Sequence, residues 1–167
     1  LLQPPAALDP AALPALKPGM LHLMVYPTTQ FGDGSGANRP WLQEMPDPMT
    51  TVTWRPWIEI HPHTADELGL KDDDVVRIES AAGAIEAVVY RYPAIRPDTV
   101  ALPFGQGHSA LGRYAAGRGQ NPANLFEVLL NEAGELAYGD TQVRVIPTGK
   151  HQPLARVESR AGVYGEH

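Results

Sequence analysis

The sequence has no cysteine. Disulfides, cysteine-ligated iron–sulfur clusters and cysteine zinc sites are therefore excluded within this chain. It also lacks any long apolar run. The longest uncharged apolar stretches, such as Leu21 to Tyr26, are far too short to cross a bilayer, and no secretory pattern precedes them. A basic surplus is missing as well. The net charge of −6 argues against a general nucleic-acid surface. The chain opens at Leu1 rather than methionine, which is the expectation for a piece of a longer protein. Its 167 residues suffice for one domain with one core. Its 17 prolines and 16 glycines speak against a helix-dominated fold.

Residues 1–19, rich in proline and alanine, read as a linker or arm with a short helix around Pro10 to Leu16. A strand is expected at Leu21 to Tyr26. A long irregular stretch follows from Pro27 to about Met49, broken up by "FGDGSGANRPW". Strand character returns at Trp57 to Ile60. Pro62, with Thr64 and Glu67 in capping-box spacing and Gly69 to close it, predicts a short helix. "VVRIES" and "AIEAVVYRY" read as a hairpin turning through Ala81 to Gly83. "RPDTVALPF" reads as a further strand and "TQVRVIP" as the last. Short helices are expected within Ser109 to Ala116 and Pro122 to Asn131. The sequence Asp73-x-x-Val76-Arg77-Ile78 echoes Asp140-x-x-Val143-Arg144-Val145, as in a barrel of two similar halves. The tail from Gly149 shows no clear period.

A local absence is the most informative one. Residues 104–121, "FGQGHSALGRYAAGRGQN", hold five glycines, two arginines and a histidine, but no acid. Gly105, Gly107, Gly112, Gly117 and Gly119 can adopt positive φ and let successive N–H groups converge on an anion. Arg113 can fork onto a phosphate, and a helix starting near Ser109 would aim its positive end at the same place. The spacing is neither a dinucleotide fingerprint nor a P-loop. An ordinary tight connection between barrel strands is the competing reading. In "GDGSGANRPWLQE", Asn38 and Arg39 are polar candidates, and Trp41 reads first as a core residue and second as a stacking platform. His61 and His63 lack a visible third metal ligand. Asp72 to Asp74 read as a solvated turn rather than a calcium loop. No nucleophile elbow is present. Gly34-Ser35 is the one step resembling a self-processing site.

The order "NRPWLQE", "WIEIHPHTADELGLKDDDVVRIESAAGAIEA", "IRPDTVALPFGQGH" and "GRGQN" resembles the C-terminal dinucleotide-binding domain of molybdopterin oxidoreductases of the dimethyl-sulfoxide reductase family, nearest the polysulfide-reductase branch. It covers about Leu21 to Ile146. The resemblance implies a mostly β fold with short helices, a double-psi β-barrel of the aspartate-decarboxylase-like kind. The barrel would occupy 20–148, and 149–167 would be a tail leading toward another domain. It implies that the two loops grip molybdopterin guanine dinucleotide, with Asn38 in the first and Gly105, Gly107, His108, Arg113 and Asn121 in the second. It implies no catalysis by the domain alone and no metal ligand within it. Iron–sulfur clusters would lie in other domains of a respiratory oxidoreductase. Its partners would be those domains and other complex subunits, in the soluble part of a membrane-associated bacterial complex. Relatives often carry His, Thr or Arg after the first strand, where this chain reads "PTTQFGDGSGA", with Asp33 placed against an anionic ligand. That wording also resembles the iron–sulfur subunit of alternative complex III. By that resemblance the domain would be structural, and the cofactor lost.

Overall fold

In the computed structural model the described residues are 15–126, 134 and 141–157. The strands are β1 (Leu21–Pro27), β2 (Trp57–Ile60), β3 (Asp74–Glu79), β4 (Ala84–Arg91), β5 (Thr99–Phe104) and β6 (Gln142–His151). Two short helices join them, α1 (Pro40–Glu44) and α2 (Pro62–Glu67). The strands close into a barrel in the order β1-β5-β2-β4-β3-β6. Side chains alternate across each strand. Ile58 and Ile60, Val76 and Ile78, Ile85, Ala87 and Val89, Val100 and Leu102, and Val143 and Val145 accordingly fill the interior. On the outside, Trp57, Val75, Val88 and Tyr90 form a second apolar cluster, covered by Val52 and Leu154. Burial on both faces explains why these strands read as near-continuous apolar runs.

β1 runs parallel to β5 and β2 parallel to β4, while the other neighbours are antiparallel. Exchanging β1 with β4, β2 with β5 and β3 with β6 reproduces every pairing. The barrel is thus built from two interlocked halves, a double-psi β-barrel. The repeat visible in the sequence superposes Ile78 on Val145, and these two residues are register partners. The pseudo-twofold axis therefore passes between them. Asp140 lies outside the described residues.

The halves differ in their loops. Those leaving the C-terminal ends of the parallel pair β1/β5 are long, residues 28–56 (loop one) and the connection to β6 that begins with residues 105–126 (loop two). Their symmetry equivalents, 92–98 and 61–73, are short. One end of the barrel is elaborated and the other is plain.

Several local expectations give way to other contacts. The stretch from Pro27 to Met49 is not wholly irregular, because Pro40 starts α1 directly after Arg39. The capping box at Thr64 does not form. His61 caps α2 by accepting from the His63 N–H, and the Thr64 hydroxyl donates to Pro97 O at 2.6 Å. Residues 109–116 contain turns and no helix. Of the helix expected from Pro122 to Asn131, a 3₁₀ turn spans Pro122–Leu125, and 127–131 lie outside the described residues. The arm helix from Pro10 also falls largely outside them. β6 runs past Pro147 to His151, and residues 152–157 then double back across the outer cluster. Asp73, left-handed at φ 71°, fastens that strap through Leu154 N–H and the Arg156 guanidinium. The acidic turn is thus a structural hub. Asp72 accepts from Arg91 N–H and Asp74 from Lys71 N–H.

Candidate functional site

The two long loops meet over the β1/β5 end. Loop one descends through successive turns, Gly32 N–H to Thr28 O, Gly34 N–H to Phe31 O and Ala37 N–H to Gly34 O, before α1 begins. α1 points Gln43 inward, where its amide donates to Ala37 O at 2.8 Å. From loop two, the Gln106 amide donates to Gln43 Oε1 at 3.2 Å. Two glutamine side chains thus tie the loops together. The Oε1 atoms of Gln106 and Gln30 are buried without a protein partner among the described residues.

The glycines explain the closeness. A Cβ on Gly105 would sit 2.6 Å from Phe31 Cβ, and one on Gly34 would sit 3.0 Å from His108 Nε2. At Gly107 it would meet the Asn121 backbone at 2.2 Å. At Gly112 the space is filled by the Asn38 side chain, whose Oδ1 also accepts from Tyr114 N–H at 3.0 Å. The glycine richness of residues 104–121 is therefore used mainly for loop against loop. Gly32 and Gly117 differ: both have positive φ and no atom within 4 Å of an added Cβ.

The six predicted site residues divide accordingly. Gly105 and Asn38 lie in the loop–loop contact, and Gly107 packs within loop two against the Asn121 backbone. His108 packs over Gly34, its Nε2 3.3 Å from Gly105 O. Asn121 Oδ1 accepts from Ala123 N–H at the head of the 3₁₀ turn. Arg113 alone stands out into solvent, its guanidinium 4.6 Å over the Tyr114 ring and donating to the Tyr114 hydroxyl. Among the described residues no helix begins between 105 and 121. Trp41 is not a core residue, being 64% exposed on α1.

Charge separates the loops from the barrel. Arg77, Arg91, Arg96, Lys150 and Arg156 each pair with a carboxylate. Arg39, Arg55, Arg113 and Arg118, all on the two loops, make no ion pair among the described residues; elsewhere only Lys17, Lys71 and Arg144 share that state. Asp33 opposes them. Its exposed carboxylate accepts from Ser35 N–H at 2.9 Å, which holds it below the usual carboxylate range. His61 and His63 do not converge on a metal, since His61 Nδ1 accepts from His63 N–H and His63 faces Glu67 at 3.6 Å. No cluster of metal-ligating side chains occurs among the described residues.

Two features escaped the sequence reading. Beneath loop one, Tyr26 OH and Trp57 Nε1 both donate to Glu59 Oε1, at 2.6 and 3.1 Å. Burial, and then the Glu59 carboxylate, push the Tyr26 phenol well above its ordinary pKa. Trp54 is left-handed at φ 64° and lies 4.7 Å beneath the Arg118 guanidinium. Residues distant in sequence make both clusters, and no local pattern marks them.

Residues 21–133 match the profile of the family described as "Molydopterin dinucleotide binding domain". The chain is 38% identical over 87 residues to the molybdopterin-containing subunit of the arsenate respiratory reductase of Shewanella sp. (strain ANA-3), covering 52% of this chain and 10% of that protein. It is 31% identical over 86 residues to the molybdopterin-binding-like subunit of a menaquinone reductase from Nitratidesulfovibrio vulgaris, covering 47% of this chain and 12% of that one. Among solved structures, acetylene hydratase from Pelobacter acetylenicus shares the fold, with a TM-score of 0.59 at 21% identity, over 76% of this chain and 18% of that one. The chain spans about a tenth of the length of the curated relatives it matches.

Proposed function

The chain belongs to the molybdopterin dinucleotide-binding domain family, and from that premise we propose that its two β1/β5 loops hold the guanine dinucleotide part of a molybdopterin cofactor within a larger oxidoreductase. The observation carrying this reading is that Arg39 and Arg113, one on each loop, have no carboxylate partner among the described residues, while most barrel cations are paired. Unpaired guanidinium groups favour an anionic ligand. Arg113 would hold a diphosphate; its guanidinium lies 4.6 Å from the Tyr114 ring centre and has no carboxylate partner among the described residues. Gly32 and Gly117 leave room for close approach of a ligand to the backbone. Asn38, Gly105 and His108 support the site by locking one loop on the other, and Gly107 and Asn121 by folding loop two on itself. When bound, the cofactor supplies the redox chemistry, and this domain orients it. The reacting centre and iron–sulfur clusters belong to other domains of a respiratory enzyme. No described helix is long and apolar enough to cross a membrane.

The test uses the intact parent protein. Acid denaturation should release guanine nucleotide and a fluorescent pterin, and Arg113→Ala should lower the nucleotide retained per chain. Retention equal to the unaltered protein would remove Arg113 from the site.

A second reading is favoured by Asp33 and by the inward use of Asn38 and Asn121. Here the domain is a cofactor-free structural module of an electron-transfer complex, of the alternative complex III type. The relative named molybdopterin-binding-like is in keeping with it. Iron without guanine nucleotide or pterin in the parent would establish this reading over the first.

A further inference from the structure

A groove of about 340 Å³ lies between residues 54–56 at the end of loop one, residues 117–120 of loop two and the outer face of β3 and β4. Its floor is apolar, Val75 and Val88. Arg55 and Arg118 line it, and neither makes an ion pair among the described residues. Its one carboxylate, Glu86, is already faced by Lys150 Nζ at 3.4 Å. Gln120 and Gln152 add amides that can donate and accept. In a chain of net charge −6, this is a pocket of uncompensated positive charge.

Arg118 is held in place. Trp54, beneath Arg118, keeps a left-handed backbone that a bulky residue rarely adopts, fixed by its N–H to Gln43 O at 3.0 Å and by Thr53 N–H to Ala155 O at 2.8 Å. Arg118 is fixed from the other side. Its carbonyl accepts from Gly107 N–H, and at the next residue a Cβ would lie 2.8 Å from Pro56 Cγ.

We propose that this groove docks a short, extended, acidic polypeptide segment. The charge complementarity selects carboxylates, two guanidinium forks being suited to two acidic side chains. The apolar floor accommodates their methylene groups, and the paired amides match a peptide backbone, which both donates and accepts. A free phosphate would use neither the floor nor the acceptors.

The experiment measures fluorescence anisotropy of a fluorescein-labelled hexaglutamate peptide on the intact protein, with hexalysine as control. Hexaglutamate should bind and hexalysine should not. Raising salt should weaken the complex. Arg55→Ala/Arg118→Ala should weaken it by about ten-fold or more, the scale of a lost charge-assisted contact. Arg55→Lys/Arg118→Lys, which keeps the charge and removes the fork, should fall between, and it decides the matter if the alanine pair fails to fold. Unchanged affinity in the folded variants overturns the proposal. So does displacement of the peptide by tripolyphosphate at equal charge concentration, which would mark a phosphate site. If the variants also lose bound guanine nucleotide, the arginines belong to the cofactor grip and the proposal fails. Peptide loss with full nucleotide content sustains it, and peptide binding to a parent without nucleotide sustains it independently of the cofactor reading.

Discussion

Replacing Gly112 with alanine drives a Cβ to 2.3 Å from Asn38 Nδ2 at a backbone φ of 131°. The expected cost is about 2–4 kcal/mol, combining overlap with backbone strain. Asn38→Ala leaves Tyr114 N–H without its acceptor and should cost about 1–2 kcal/mol. The double variant should lose less than the sum, because the truncated Asn38 no longer occupies the space. Urea denaturation of the single and double variants measures this, and strict additivity would mean the two residues do not share that space. Sequence alone shows that five glycines stand in this loop, but not what each one faces. Gly112 and Gly117 look alike in the chain, yet one is filled by Asn38 and the other is open. Arg113 was legible because charge and exposure follow from its residue type and loop position. Trp41 was misread because burial of an aromatic depends on what the rest of the fold brings to it.

At the scale of the element, the strands were readable because their alternation is an intrinsic period. The helix signals were less reliable, since Ser, Thr and His side chains choose among competing partners. His61 took the cap that Thr64 was expected to make. The start of β5 gives a pH prediction. Hydrogen bonds from the Arg96 guanidinium, aided by the Thr99 hydroxyl, lower the Asp98 pKa from its ordinary value. A carboxylate whose folded pKa is depressed stabilises the fold above its unfolded pKa of about 4, and this contribution is lost as pH falls through the folded value. Arg96→Ala should therefore lower the urea midpoint at pH 7 slightly and reduce its decline in acid. An unaltered acid limb would show that Asp98 gains nothing from Arg96.

For the whole molecule, the closed barrel was legible from the resemblance and from the short repeat across β3 and β6. The strap at 152–157 was not, because its partners are Asp73 and residues 51–53, about 80 to 100 positions earlier in the chain. Asp73→Ala removes the acceptor for Leu154 N–H and Arg156, and a residue suited to φ 71°. It should cost about 2–3 kcal/mol, and Asp73→Asn, which tolerates the left-handed backbone, should cost less. Thermal melts with limited proteolysis would measure both, and the alanine variant should expose the strap to cleavage first. The strap also sets a direction for mechanical load. Val157 N–H bonds Thr51 O and Thr53 N–H bonds Ala155 O, so a pull on the chain beyond residue 157 arrives at the root of loop one before it reaches any barrel strand. Tension from whatever follows would be felt first by Trp54 and the residues beside it, while the barrel wall stayed at rest.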